Sequence, residues 1–256
     1  MAALGGVLSV GAGRVDVAAS VVLVGFAVAL GAEIASWAFR PEVAWYEGRA
    51  LAESAKTLAW RYAICADPFP GDMPAPRARE LLRVRLAEVA RETGSQVVLG
   101  AANATTTAAM DALRLEPFVT RRAAYVDGRT LDQQRWYAKK ARFNRRLSTA
   151  WRAVLVLAEI AALVAAALRV FAGWDIEMAG LMAAIIAAGA AWVAVKQFGT
   201  LASAYTVAAR ELALQADRLR DVEDASWAAT VADAEGAISR EHTLWLASRT
   251  GKTPVR

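Results

Sequence analysis

Two apolar runs near the middle of the chain, Trp151 to Phe171 and Ile176 to Phe198, are separated only by Ala172-Gly173-Trp174-Asp175. At 1.5 Å of rise per residue each run makes a helix of about 30 Å, the thickness of a bilayer's hydrocarbon core. A turn this short forces the helices to lie antiparallel. Gly173 suits the position just past a helix end, Asp175 can cap the next helix, and Glu177 falls in its first turn, where the helix dipole favours an anion. The pattern predicts a transmembrane hairpin. Val17 to Phe39 is a third apolar run, ending in Trp37, Phe39 and then Arg40. It reads as a span with its N-terminus outside. A signal peptide fits less well: no positive residue precedes Arg14, the run is long, and cleavage would export the Arg-rich segment behind it. Met1 to Val10 is too short to cross alone.

Outside these runs the pattern is helical and amphipathic. From Pro41 to Ala66, Leu51, Ala55, Leu58 and Tyr62 share one face, with Arg49, Glu53 and Lys56 opposite. Pro68, Pro70, Pro74 and Pro76 then forbid a helix. Arg77 to Glu92 resumes one, with Leu81, Leu82, Val84, Leu86 and Val89 as its apolar positions. Thr93 to Ala104 reads as a loop, Thr105 or Thr106 as the cap of a short helix ending at Arg114, and Pro117 as the start of the next. Gly128 is placed to kink or interrupt that helix, and from Arg129 the chain continues into the membrane as one rod. Gly199 to Val222 and Ser226 to Ser248 follow the hairpin. The first carries Tyr205, Ala208, Leu212, Leu219 and Val222 at heptad-like spacing, the second Trp227, Val231, Ala234, Ile238 and Trp245. The expected fold is therefore all-α: a membrane protein with a two-helix transmembrane hairpin, an additional N-terminal transmembrane helix and a cytoplasmic helical bundle. Its parts would be 1–40, an N-terminal membrane segment; 41–149, a cytoplasmic helical region; 150–198, the hairpin; 199–249, cytoplasmic helices; and 250–256, a frayed tail.

Composition narrows the chemistry. Of 256 residues, 57% are hydrophobic, and the mean hydropathy is +0.29. Both values exceed an ordinary soluble domain and fall short of a polytopic transporter. Cys65 and His242 are the single cysteine and histidine. That excludes an internal disulfide, a Cys-rich or multi-histidine metal site, and a Ser-His-Asp triad elsewhere in the chain. The net charge is only +5, but Arg135, Lys139, Lys140, Arg142, Arg145, Arg146 and Arg152 crowd the approach to the hairpin, whose turn is acidic. By the positive-inside rule the basic side is cytoplasmic, and it would touch anionic headgroups. Its place against an apolar span favours lipid over nucleic acid. The localisation expected is the plasma membrane, multi-pass. No enzyme activity or cofactor is indicated: Gly251-Lys252-Thr253 lacks the earlier glycine and the strand of a P-loop. Asn103-Ala104-Thr105 is a sequon by letter only, on the cytoplasmic side.

Glu159 is the sharpest single signal, an acid in the first half of a span, where it costs up to about 3 kcal/mol. Either it faces a water-filled path or a neighbouring subunit, or it pairs with Lys196 across the hairpin. Ala158, Ala162 and Ala166 on one helix, and Gly180, Ala184 and Ala188 on the other, have the small-xxx-small spacing of close helix approach. His242 reads mainly as a hydrogen-bonded structural residue, while Arg240 and Glu241 would tie the tail helix to the linker helices. Trp45-Tyr46-Glu47-Gly48-Arg49-Ala50-Leu51 also echoes Tyr125-Val126-Asp127-Gly128-Arg129-Thr130-Leu131.

An ordered set of motifs runs from Pro41 to Arg249. It begins with Trp45-Tyr46, Arg49, Glu53-Ser54, Lys56, Trp60-Arg61-Tyr62 and Pro68-Phe69. It continues with Arg129, Asp132-Gln133, Trp136-Tyr137, Lys140-Ala141 and Asn144 before the hairpin, and closes on Ile238-Ser239-Arg240-Glu241-His242-Thr243 and Trp245-Leu246. In this the chain resembles the SLATT family, the SMODS- and SLOG-associating two-transmembrane effector domains of bacteria. The resemblance implies a non-enzymatic membrane effector in conflict or anti-phage systems, proposed to open a pore when nucleotide-sensing or nucleotide-synthesising partner proteins signal, and acting as a homo-oligomer. It marks Arg49, Lys56, Trp60, Arg61, Gln133, Trp136, Tyr137, Lys140, Asn144, Ser239, Arg240, Glu241, His242 and Trp245 as structural or interaction candidates, beside the intramembrane Glu159 and Lys196. Two alternatives stay open: a non-conducting membrane scaffold or sensor whose helical bundle docks a partner, and a soluble bundle that hides the hairpin until insertion.

Overall fold

The structure, a computed structural model, describes residues 11–12, 15–39, 41–92, 105–173 and 179–236. Apart from a two-residue antiparallel pairing of β1 (Gly11–Ala12) with β2 (Val15–Asp16), the regular structure among these residues is helical. The elements are α1 (Val17–Phe39), α2 (Pro41–Ala63), α3 (Ala75–Glu92), α4 (Ala108–Leu115), α5 (Phe118–Tyr125), α6 (Leu131–Ala172), α7 (Ala179–Lys196), α8 (Phe198–Asp221) and a last helical stretch over 224–236. Chain contacts divide them into two compact units. One holds the described residues of Met1–Phe39 and Trp136–Ala208; the other holds those of Arg40–Arg135 and Ala209–Arg256. Helices α6 and α8 contribute residues to both.

The second unit carries the buried core. Pro41 starts α2 where a missing N–H costs nothing, and α2 gives way to Cys65 in the left-handed region at φ 59°. Asp67–Pro68 is cis, and just beyond it Phe69 lies against Tyr62, with ring centroids 5.9 Å apart edge to face. Ala78 and Leu82 of α3 close that cluster. Val84, expected on the apolar face, is 43% exposed, because the helix turns Ala78 and Leu82 inward instead. The cap of α4 is Thr107, whose hydroxyl accepts from Met110 N–H at 3.2 Å. This displaces the expected Thr105 or Thr106; Thr106 instead donates to Asp111 Oδ2 at 3.3 Å.

A larger cluster joins Ile64 and Ala66 to Tyr125 and Val126, to Ala216 and Leu219 of α8, and to Trp227 and Val231. Trp60, Tyr125, Trp227 and Phe118 form a chain of edge-to-face rings with centroids 5.9, 5.8 and 5.5 Å apart, contacts that add to simple area burial. Between α5 and α6 the chain does not kink at Gly128. It winds wide for one turn, as a π-helix over Val126–Thr130. A Cβ on Gly128 would come within 3.2 Å of Trp60 Cη2, so the glycine lets the indole lie against the backbone.

The first unit is built differently. α6 and α7 lie antiparallel beyond Gly173, which takes φ 66°. The expected cap Asp175 and the first-turn Glu177 lie outside the described residues. On α6 from Trp151 onward the partly buried positions are Trp151, Leu155, Ala158, Ala162 and Ala165; on α7 they include Met182, Ile186, Gly189 and Val193. That 4-3-4 spacing is the knobs-into-holes seam of nearly parallel helices. The contact is tight at Gly189, whose Cβ would meet Leu155 Cδ2 at 3.1 Å, whereas the expected Gly180 has nothing within 4 Å. Ala166 and Ala188, also expected at the seam, are exposed. The bulky Trp151 and Leu155 need the smallest partner opposite them, and that partner is Gly189. α7 ends at Gln197 (φ 51°), and α8 starts at Phe198.

Candidate functional site

The second unit hides a charged cluster assembled from distant parts of the chain. Arg129, 1% exposed, is carried by the π-helical turn; Glu235, 0% exposed, by the last described helix. The guanidinium donates twice to one carboxylate: Nε to Oε1 and Nη2 to Oε2, each at 2.9 Å. The Tyr125 hydroxyl donates to Oε1 and the Thr57 hydroxyl to Oε2, each at 2.8 Å. Glu53 Oε2 stands 3.7 Å from Arg129 Nη1. The wide turn places Tyr125 and Arg129 together against α2 and the 224–236 helix, while Arg61 Nη2 donates to the Ala232 carbonyl at 2.6 Å from the neighbouring turn.

Burial by itself would raise the Glu235 carboxyl, but the hydrogen bonds and charge of Arg129, with the Tyr125 and Thr57 bonds, outweigh it and hold the group below its ordinary range. Burial, then the Glu235 charge, pushes the Tyr125 phenol well up, so it remains a donor. Burial opposes the Arg129 charge, yet Glu235 raises its affinity for the proton above the ordinary value. The lone pairs of the carboxylate are satisfied, while Arg129 Nη1 is buried without a hydrogen-bond partner, 3.7 Å from Glu53 Oε2; the pair fixes one arrangement of helices. Among the described residues no three His, Cys, Asp or Glu side chains converge as a metal site requires.

A second buried cation staples the proline-rich loop. Arg114 donates from Nη1 to the Tyr62 and Phe69 carbonyls, both at 2.9 Å, and from Nη2 to those of Pro70 and Met73 at 2.8 and 3.2 Å. Its guanidinium lies 5.1 Å over the Tyr62 ring. The Tyr62 hydroxyl donates to Asp111 Oδ1 at 2.6 Å, beside an Arg79–Asp111 ion pair at 3.1 Å.

In the first unit the exposed surface of α6 is apolar. Nine large side chains of α6 between Val154 and Phe171 face outward, with Leu163 70% and Phe171 87% exposed. Phe118–Ala172 and Gly180–Asp221 contain helices long and apolar enough to cross a membrane; Val22–Ala35 of α1 is a shorter apolar stretch. Below the apolar part of α6, Trp136 and Tyr137 meet Tyr205 of α8 at 5.9 and 5.7 Å between centroids, and Lys140 Nζ lies 5.6 Å over Trp136. Asn144 is buried and donates to the Lys140 carbonyl at 2.9 Å.

The sequence candidates thus divide between the units. Trp60 and Arg61 border the ion cluster; Arg49 and Gln133 are partly buried and Lys56 is exposed. Trp136, Tyr137, Lys140 and Asn144 gather in the first unit. Glu159 and Lys196 are not brought together: Glu159 is exposed, Lys196 lies 4.6 Å over Trp192, and among the described residues no ion pair joins them. Ser239, Arg240, Glu241, His242 and Trp245 lie outside the described residues, so the ties seen between the tail helix and α2 are those of Arg61 and Glu235. Thr57, Tyr125 and Glu235 were not among the candidates. The signal for Tyr125 and Arg129 was the repeated aromatic-x-acid-Gly-Arg pattern; nothing local marks Thr57 or Glu235.

A helical chain with two outward-facing apolar spans and a separate buried helical unit defines a membrane protein. Residues 125–245 match the family model described as SMODS and SLOG-associating 2TM effector domain 1, and residues 1–122 match that of SMODS and SLOG-associating 2TM effector domain 3. The chain belongs to this SLATT group of two-transmembrane effectors. No curated protein and no solved structure matches it. The ion cluster draws on both matched segments: Glu53 and Thr57 lie in one, Tyr125, Arg129 and Glu235 in the other.

Proposed function

We propose that the protein is a membrane effector of bacterial defence that permeabilises the plasma membrane through its α6–α7 hairpin, without chemistry of its own. The observation that carries this is the row of nine exposed apolar side chains on α6. Each is worth roughly 1.5–3 kcal/mol when removed from water, so together they far outweigh the up to about 3 kcal/mol that Glu159 costs in lipid. The basic approach from Arg135 to Arg152 then lies at the cytoplasmic headgroups, with α1 as a further span and the second unit in the cytoplasm. Copies of the chain assemble, a step that high protein density drives by mass action and that a nucleotide-sensing or nucleotide-synthesising partner protein promotes. Helices α6 and α8, shared by both units, give any rearrangement around Arg129 a covalent route to the hairpin.

The test is reconstitution. In vesicles containing anionic lipid, the purified protein is expected to dissipate a potassium chloride gradient, and alkaline carbonate is expected to leave it in the pellet. Tight vesicles at every protein density, or extraction by carbonate, overturn the proposal. The second reading, a non-conducting scaffold, draws support from Leu115 and Val119, 82% and 64% exposed at the α4–α5 corner, where a partner protein would find an apolar foothold.

A further inference from the structure

Glu159 is the one ionisable side chain of α6 between Arg152 and Arg169, and α7 carries none before Lys196. The hairpin does not satisfy it. The α6 seam toward α7 uses Leu155, Ala158 and Ala162, and Glu159, about 40° round the helix from Leu155 and about 100° from Ala158, is exposed at its flank. It shares its outward face with Val156 and Leu163, 51% and 70% exposed. The bases of the hairpin nearest it are engaged or distant. Lys196 lies over the Trp192 ring; Arg152 is two turns back, about 10 Å along the axis, with no ion pair between them among the described residues. α1 offers no base, since its single ionisable residue is Glu33, also exposed.

The charges held within the apolar helices are therefore carboxylates, while Arg152 and Arg169 stand near the ends of the span, where long side chains reach headgroups. An acid about 12 Å beyond Trp151 is deep in hydrocarbon. It needs water or a positive charge supplied from outside its own hairpin.

We infer that in the assembled protein Glu159 lines a water-filled path between copies of the hairpin and is the group that binds and selects permeating monovalent cations. This rests on the permeabilising role proposed above. Carboxylates gathered from several copies attract cations and repel anions, as acidic rings in cation channels do. Ala166, seven residues on and on the same face, would also lie near its counterpart in a second copy.

Planar-bilayer recording under a potassium chloride gradient tests the site. The unaltered protein is expected to reverse near the potassium equilibrium potential, Glu159→Gln to move that potential toward zero, and Glu159→Lys to carry it to the chloride side. Conductance with an unchanged reversal potential in Glu159→Gln overturns the cation site and leaves the permeabilising role standing. No conductance from the unaltered protein overturns both. Oxidative cross-linking in membranes supplies an independent reading: Ala166→Cys is expected to give a disulfide-linked dimer, and the parent chain none, because its single cysteine, Cys65, is buried. Failure of Ala166→Cys to cross-link overturns the placement between copies.

Discussion

Glu235 keeps its charge without contact with water because four hydrogen bonds meet it: two from Arg129 and one each from Tyr125 and Thr57. The pH consequence follows from the sign of its shift. A carboxyl whose folded value is depressed below the unfolded one, about 4.3 for glutamate, contributes stability that is fully present above the unfolded value. That contribution is lost as pH falls through the lower folded value. The second unit is thus expected to loosen progressively below about pH 4.3, and Glu235→Gln to lose that part of the acid limb while starting from lower stability at pH 7. Circular dichroism of detergent-solubilised protein against pH checks it; an acid limb identical in Glu235→Gln assigns the loss to other carboxyls. At this scale the chain was partly legible. Arg129 sits in a repeated motif and Glu159 stands out in an apolar run. Glu235 gives no local sign, because its partner is 106 positions away and nothing in one dimension fixes which helix face meets which.

Among the elements, the long helices were legible because their patterns are. Nearly unbroken apolar runs and a tight Gly-containing turn specify an antiparallel pair whichever side chains form the seam. The seam itself was half legible: Ala158, Ala162 and Ala184 are partly buried, while Ala166, Gly180 and Ala188, expected beside them, are exposed. Alanine is so frequent that small-residue spacing occurs on several faces of each helix, and only packing selects the one in use. Trp151 and Leu155 select Gly189. Gly189→Ala is expected to be tolerated, since the atom it meets is the movable end of a leucine. Gly189→Leu is expected to push the helices apart by filling the space Leu155 occupies. The check is hairpin compactness, read as slower migration of Gly189→Leu on detergent gels; equal migration of the two variants argues against Gly189 as a point of tight contact. The wide turn at Val126–Thr130 was legible only as an irregularity at Gly128. A glycine in a helical pattern equally suits a kink, and the close approach of Trp60 favours the π-turn here.

For the whole molecule, the two family-matched segments do not correspond to the two compact units. Residues 1–122 and 125–245 each supply part of the buried ion cluster, so the second unit is folded from both. Breaking a buried pair by removing one partner costs roughly 3–5 kcal/mol, because the other charge is left uncompensated. Arg129→Met is therefore expected to lower the unfolding temperature of this unit. Hydrogen exchange is expected to speed up together around Ile64, Tyr125 and Trp227, with α6 beyond Trp151 still protected. Exchange confined to the turn around Arg129 would show that the segments are stable separately. Apolar patterning alone determined that the chain is helical and carries spans made for lipid, since the length and hydrophobicity of a run are properties of consecutive residues. Tertiary structure decided the rest. It selected the seam of the hairpin, left Glu159 facing outward and enclosed Arg129 with Glu235, because burial and charge pairing depend on which distant residues meet.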